Sequence, residues 1–479
     1  MKTVHFKLIK KILLGLLALI ISLFIIGYLA FYFFVQTNLD YYKNELVKEI
    51  SKATNKKVTI ETFDASWNIT NPRFIIKDFS IYADSSEKAF TFEKFEVDIS
   101  WMSLLKFELV LDQVTLYDLA VEIQKNSETD YLIGGWKVSY EPNSNNEFDG
   151  KLINWLLNQD EVQMINAKII WIDKTRANSP PLVLNDINLS YSTSDILSYL
   201  DRHLFYLDFF SSAGTKEKIS LSGHFDADSI NELLKADGAL SFKFDALNLY
   251  AFSPWIDYPL TIKDGTGSLS INIEFENGRL KEGGSSFSVQ NLNANTIDNP
   301  KQGLVFKDIS GEFEYKLVND DINIILDNLF LTTNSKLQFE DSAASIKYNF
   351  ETNQINKATL VVDRFDLGSV KEISNQFLPE DHRVNVIINE LQARGEIDDL
   401  KLKWDRTGDE EEPNLKLKAK FLELEINEFE SFPGLKNITG EVNIVNEKGI
   451  IRSVSRDVKI TKEDVFRAPL QLNQFSGSV

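Results

Sequence analysis

Ile309-Ser-Gly311-Glu-Phe313-Glu-Tyr315 sets out an apolar residue, a small polar one, a glycine, and then strict apolar/polar alternation. Five further segments repeat the pattern: Leu221-Ser-Gly223-His-Phe225, Thr266-Gly267-Ser-Leu269-Ser-Ile271-Asn-Ile273, Ala393-Arg-Gly395-Glu-Ile397, Ile438-Thr-Gly440-Glu-Val442-Asn-Ile444 and Phe475-Ser-Gly477-Ser-Val479. Their glycines recur roughly every 44 residues, with one double gap where Ile346-Lys-Tyr348-Asn-Phe350 marks a copy lacking its glycine. A fixed period of this size belongs to stacked arrays, in which each unit buries its apolar face against its neighbours. Alternation with period two makes those units β-strands, and the glycines fit bulges or bends that curve a sheet.

Working outward, the same alternation runs through Val58-Thr-Ile60, Phe74-Ile-Ile76-Lys-Asp-Phe79-Ser-Ile81, Phe95-Glu-Val97-Asp-Ile99, Val114-Thr-Leu116 and Val121-Glu-Ile123. Turn residues separate these runs, at Asn71-Pro72, Asp84-Ser85-Ser86 and Asn126-Ser127. Helical spacing is confined to a few short pieces. Asn38–Thr54 carries Leu39, Tyr42, Leu46, Ile50 and Ala53 on one face and reads as a stalk. Leu152–Leu157, Asp195–Leu200, Ile230–Ala236 and Leu367–Phe377 are the other candidates. The most linker-like stretch is Glu141-Pro-Asn-Ser-Asn-Asn146; Asn178-Ser-Pro-Pro181 is a tight connection, and Asp409–Pro413 is a charged surface loop.

Upstream of the strands, Ile12–Val35 is apolar except for Gly15, Ser22 and Gly27. About 24 residues at 1.5 Å each cover roughly 36 Å, enough for a hydrocarbon core of about 30 Å. Lys2, Lys7, Lys10 and Lys11 precede it and no cation cluster follows, so the positive-inside rule orients the N-terminus to the cytoplasm. Tyr28, Phe31, Tyr32, Phe33 and Phe34 form an aromatic belt at the outer end. A cleaved leader would have a shorter apolar core and an A-x-A-like site, so the segment reads as an uncleaved anchor.

The 51 Lys and Arg against 71 Asp and Glu leave a net charge of −20. That field disfavours nucleic acid as a partner. The chain has no cysteine, which removes disulfides and thiol chemistry. His5, His203, His224 and His382 are scattered without ligand spacing, and no phosphate loop, nucleophile elbow or H-E-x-x-H is present, so neither a metal site, a cofactor nor an enzymatic function is expected. Carboxylate pairs such as Asp320-Asp321 and Asp398-Asp399 read as turn and surface residues. The seven tryptophans read first as core, with groove lining as the alternative for some.

An apolar sheet face must rest on another sheet, on helices or on a bound apolar molecule. Few amphipathic helices are available, which leaves a sandwich or an open curved sheet holding lipid, with a propeller as a further arrangement of units of this period. In an open sheet the alternate residues Leu269, Ile271, Ile273, Phe275, Phe313, Tyr315, Leu317, Val442 and Ile444 become one lipid-facing surface. Each buried CH₂ of an acyl chain contributes about 0.8 kcal/mol there.

The run Thr54-Asn-Lys-Lys-Val58-Thr-Ile60-Glu-Thr-Phe63-Asp-Ala-Ser-Trp67 to Ile81, and the run Phe95-Glu-Val-Asp-Ile99-Ser-Trp-Met-Ser-Leu104 to Ile123, resemble the N-terminal region of the AsmA-like proteins. Trp155-Leu-Leu-Asn-Gln159, Ala167-Lys-Ile-Ile-Trp171-Ile-Asp173 and Pro181-Leu-Val-Leu-Asn-Asp-Ile187-Asn-Leu189 are similar to the YhdP branch of that group. The resemblance implies a mainly β fold: a transmembrane helix followed by an elongated, curved antiparallel groove of repeats. It also implies inner-membrane anchoring, a bulk in the periplasm, and phospholipid movement toward the outer membrane without catalytic residues. Membrane phospholipids and periplasmic or outer-membrane proteins are the implied partners. An envelope assembly factor, binding other proteins at strand edges, is the alternative. The expected organisation is a cytoplasmic 1–11, a span 12–35, a stalk 36–56, an AsmA-like β region 57–140 and a repetitive region 141–479. Chains of the YhdP branch run much longer, and Phe475–Val479 opens a copy that stops at once, so further copies beyond Val479 are expected.

Overall fold

The computed structural model describes residues 2–478 apart from 55, 69–70, 83–87, 101–102, 104–109, 135, 140–158, 178, 195–201, 215, 228–234, 297–302, 334–337, 378–381, 407–412 and 447. The linker 141–146, the turn at Asp84–Ser86, the helices expected at Leu152–Leu157 and Asp195–Leu200, most of Ile230–Ala236 and the acidic loop lie outside the described residues, as do Trp101 and Trp155.

The architecture is mainly β, with 23 described strands and few helices. Contacts divide the chain into two compact units, Met1–Ser212 with His224–Leu233, and Ala213–Gly223 with Leu234–Val479. The boundary read from composition at 140/141 falls inside the first of these.

The first unit opens with helix α1 (Lys2–Ala30), a π turn at Phe31–Val35, a 3-10 turn at Gln36–Asn38 and helix α2 (Leu39–Thr54). Strands β1 (Val58–Asn68), β2 (Asn71–Tyr82) and β3 (Lys88–Ile99) follow as an antiparallel meander. Asn71 and Pro72 start β2 rather than forming the turn, a position where proline's missing N–H does least harm. Strands β4 (Leu111–Tyr117) and β5 (Ala120–Lys125) both lie antiparallel to β3 and parallel to β8 (Glu161–Asp173). A side hairpin of β6 (Asp130–Ile133) and β7 (Trp136–Ser139) extends β5, and β9 (Leu182–Ser194) and β10 (Arg202–Ser211) continue from β8. The stalk lays Leu46, Val47 and Ile50 over a core of Val58, Ile60, Ile76, Phe79, Ile81 and Phe92. The amphipathic stripe that marks α2 as a helix is thus the lid of the first strands.

Strand β11 (Ile219–Asp226) leads to β12 (Asp237–Asn248), and from there the second unit is one antiparallel meander. It runs β13 (Leu260–Glu276), β14 (Arg279–Thr296), β15 (Leu304–Val318), β16 (Asp321–Thr333), β17 (Gln338–Asn349) and β18 (Gln354–Asp366), each paired with the next. Helices α3 (Leu367–Phe377) and α4 (Arg383–Leu391) are inserted before β19 (Arg394–Asp405). The ladder then resumes through β20 (Asn414–Ile426), β21 (Gly434–Val445), β22 (Lys448–Thr461) and β23 (Leu470–Ser478). A propeller would break this pairing every four strands; here it is unbroken from β12 to β23. Short turns with left-handed asparagines, such as Asn277-Gly278 and Asn319-Asp320, connect the hairpins.

Most of the repeat glycines do not start strands, although Gly395 is the second residue of β19. Gly267, Gly311 and Gly440 lie in mid-strand, and one glycine falls on every second strand. Gly311, Gly395 and Gly440 nonetheless fall at register shifts, as glycines at bulges should, and the bend is shared with a slip in the alternation. Apolar residues fall three apart at Ile60/Phe63, Ile76/Phe79 and Phe92/Phe95, and the pairings Ile60–Phe79–Phe92 and Phe63–Ile76–Phe95 put these slips at one level. Within many slips sits a residue of left-handed conformation, φ 48 to 61: Asp78, Asp118, Asn166, Asp186, Ala246, Asn291, Asn328, Asp399, Glu423, Asn437 and Asp457. Asn and Asp tolerate this conformation best, and such a residue in mid-strand kinks the strand while restoring its apolar residues to the original face. The glycines also make room for a large neighbour. A Cβ on Gly311 would meet the Phe287 ring at 3.0 Å, and one on Gly440 would meet the Phe421 ring at 2.9 Å. In the copy without glycine, β17, Ser342 takes the same place two residues before Ala344 and is 2% exposed.

Candidate functional site

Directly opposed residues in an antiparallel ladder point to the same face of the sheet. Ile271 pairs with Ser285, and the row continues through Phe313, Leu326, Ala344, Leu360, Leu402, Leu417 and Ile444. A second row runs Ile273, Gly283, Tyr315, Ile324, Ile346, Ala358, Trp404 and Leu415. Leu269 stands beside Phe287, Leu317 beside Ile322, and Val442 beside Ala419 and Ile451. Phe275, near the end of β13, faces Leu280 and Gly238. All nine residues singled out in the sequence therefore share one face of the second unit. Nine strands at about 4.8 Å make that face roughly 38 Å long across the ladder.

Its burial is the informative quantity. All nine are half-buried, neither in a dry core nor fully in water. Along the same rows Leu360 is 36% exposed, Ile346 38% and Leu415 36%. A face closed by a second sheet would bury such residues at close-packed density. The other face is charged and exposed, with Glu274, Glu276, Glu312, Glu314, Lys316, Lys416 and Lys418. Cross-strand ion pairs lace it, among them Lys316–Glu282 at 2.5 Å and Lys347–Asp321 at 2.8 Å.

At the level of the crease and beyond it, parts of the same face form closed cores. Leu292, Ala294 and Phe306 pack with Leu249, Leu260 and Val289 in one cluster, and Phe421, Ile438 and Val458 with Leu424 and Ile460 in another. The apolar face is thus dry where these clusters form and half-open along the two rows. Tyr315 sits over Gly283, where a Cβ would come within 2.8 Å of its ring, and burial pushes its hydroxyl pKa up. The sequence showed the period of these residues but not the kinks; the signal available for them was the recurrent apolar-x-Asp/Asn-apolar slip.

No group of three or more His, Asp or Glu among the described residues converges as a metal site. His203 is structural: it is 2% exposed, its Nδ1 accepts from the Tyr191 hydroxyl at 2.7 Å, and its Nε2 donates to the Ala227 carbonyl at 2.6 Å. Of the tryptophans, Trp404 lies on the apolar face and Trp67 packs against α1. The backbone of Lys2, Lys7, Lys10 and Lys11 lies in α1.

A family model described as YhdP protein matches residues 1–479. The chain belongs to the YhdP family. No curated protein matches it. Membership accords with the mainly β architecture, and with a single helix, at the N-terminus, that is long and apolar enough among the described residues to cross a membrane.

Proposed function

We propose that this YhdP-family chain is a membrane-anchored carrier of phospholipid, its half-open apolar face holding acyl chains while headgroups remain in water. The observation that supports this most is the continuity of the two rows, one from β13 to β21 and the other from β13 to β20, apolar throughout except at Ser285 and Gly283 and nowhere fully buried. Leaving that face bare in water is unfavourable by about 25 cal/mol per Å², so an apolar occupant is strongly favoured. Aliphatic chains need no polar partner, which suits a face with no convergent charged groups; cargo is carried, not converted. With α1 in the inner membrane and its lysines cytoplasmic, the β units stand in the periplasm, and the carried lipid moves between the inner and outer membranes.

The test uses the gently solubilised full chain. Lipid analysis by mass spectrometry is expected to find phospholipid in stoichiometric amount. Photo-crosslinking from the rows should label it, and the double variant Ile271→Asp plus Phe313→Asp should lose that lipid while its circular dichroism is unchanged. These two residues flank Ser285 on one row, so both charges enter the same stretch of face. Unfolding of the double variant would mean that the face is a dry core, because an unpaired buried charge costs several kcal/mol.

A further inference from the structure

Trp67, near the end of β1, stands edge-on to three rings of α1 and its π turn: Phe24 at 5.5 Å, Tyr28 at 5.4 Å and Phe31 at 5.5 Å. These positions, four and three apart, form one stripe of the helix. Phe31 also touches Phe74 of β2 at 5.9 Å, and Phe74 stacks on Phe63 of β1 at 5.8 Å. The Trp67 end of the β1–β2 hairpin, its tip among the described residues, therefore lies alongside the outer third of the apolar helix rather than above it.

We propose that this hairpin tip is seated inside the bilayer, in the half nearer the β units, and is the place where the apolar face of the first unit meets lipid. The inference rests on reading α1 as a membrane anchor. About 20 apolar residues are needed to span the hydrocarbon. Counted from Ile12, just after Lys10 and Lys11, they reach Phe31. Phe24 then lies roughly 10 Å below the hydrocarbon boundary, and a ring in contact with it lies within the bilayer. Placing Trp67 above the boundary instead would leave Ile12–Leu23 to span, about 18 Å against the roughly 30 Å required.

Two other features suit this position. The helix surface is bare: Leu16, Leu19, Ile25 and Ile26 are each more than half exposed, as lipid-facing side chains would be in the absence of lipid. Of the charges near the tip, Arg73, which stands opposite Ser66, is neutralised by donating to both carboxylate oxygens of Asp98 at 2.5 and 2.7 Å, and the Asp112 carboxylate accepts from the Asn71 side-chain amide. From Trp67 the rings of Phe31, Phe74 and Phe63 lead into the buried cluster of Ile60, Ile76 and Phe79, an apolar path from membrane to sheet.

The absence of cysteine makes a direct test simple. Ser66→Cys at the tip and Glu61→Cys further along the same strand, both exposed positions, are spin-labelled in the full chain reconstituted into phosphatidylethanolamine–phosphatidylglycerol vesicles. The Ser66 label is expected to collide severalfold more with oxygen, relative to a water-soluble nickel chelate, than the Glu61 label. As a measure free of the label, the tryptophan emission lost in Trp67→Phe is expected to be quenched by lipids brominated on their acyl chains. If the protein resists alkaline carbonate extraction yet both labels report water and the bromolipids leave Trp67 unquenched, hairpin insertion is wrong and the anchor stands. Release by carbonate would overturn both.

Discussion

At the scale of single residues, the sheet depends on positions that a side chain cannot fill and positions that need a left-handed backbone. A Cβ on Gly440 would come within 2.2 Å of the Arg452 carbonyl oxygen, a backbone atom that can yield only if the ladder shifts. Gly440→Ala is therefore expected to destabilise the second unit by about 1–3 kcal/mol. Gly477→Ala, whose Cβ would meet nothing closer than the Phe475 ring at 3.5 Å, is expected to be neutral. Denaturant midpoints of the two variants check the contrast. Asn328 sits at φ 51 in the kink of β16. Asn328→Gly should be tolerated, while Asn328→Val should lose about 1–2 kcal/mol, because a β-branched residue is strained there. The glycines are plain in the sequence as a period, but their reason is not. Gly267, Gly311 and Gly440 answer side chains of Leu249, Phe287 and Phe421, partners some 20 residues away that the local pattern does not name, and Gly395 answers the backbone of Leu422–Leu424.

At the scale of elements, the two inserted helices show what period alone supplies and what a cap and a polar cluster add to it. Leu367–Phe377 has helical spacing and is α3; Arg383–Leu391, although rich in the β-branched residues Val and Ile, is amphipathic at helical spacing as well. It folds as α4 because His382 caps it, accepting from the Val384 amide at 3.3 Å, and because a polar cluster ties it to α3. Asn385, 0% exposed, accepts from the Ser374 hydroxyl at 2.7 Å and from Asn389 at 3.2 Å, and Asn389 also donates to Asn375 at 2.8 Å. Asn385→Ala leaves these donors without their acceptor and is expected to cost about 1–3 kcal/mol, read as faster amide exchange across α4 with the β19–β20 ladder unaffected. The stalk is the opposite case. Its stripe of Leu46 and Ile50 is legible at once, and the structure adds only what it covers.

At the scale of the whole molecule, a net charge of −20 is spread over strands whose outer faces are held together by ion pairs. Hydrogen bonds from Arg202 to Asp226, from Lys347 to Asp321 and from Lys462 to Glu428 hold these carboxyls below the usual range, and the Thr175 hydroxyl does the same for Asp173. A carboxyl whose pKa is lower folded than unfolded stabilises above the unfolded value, about 4, and that contribution is lost as pH falls through the folded value. Stability is accordingly expected to be flat from about pH 7 to 5 and to decline below about pH 4, with added salt reducing the difference. A series of denaturant titrations in detergent across that range tests it.

The sequence by itself determined what is local in this chain: the strand identity of most segments, the apolar helix at its start, the nine alternate residues that share a face, and the resemblance to its family. These follow because a period of two or of 3.6 is a property of consecutive residues and needs no partner. Only the tertiary structure decided that the slips in alternation line up as a crease within each unit, at residues such as Phe79 in the first and Leu292 in the second, and that Trp67 docks on the anchor helix. It alone showed that the rows from Ile271 to Ile444 are left half-open while Leu292 and Phe421 are sealed. What covers a face depends on register and on residues far apart in sequence, and an exposed apolar strand and a buried one share the same alternation.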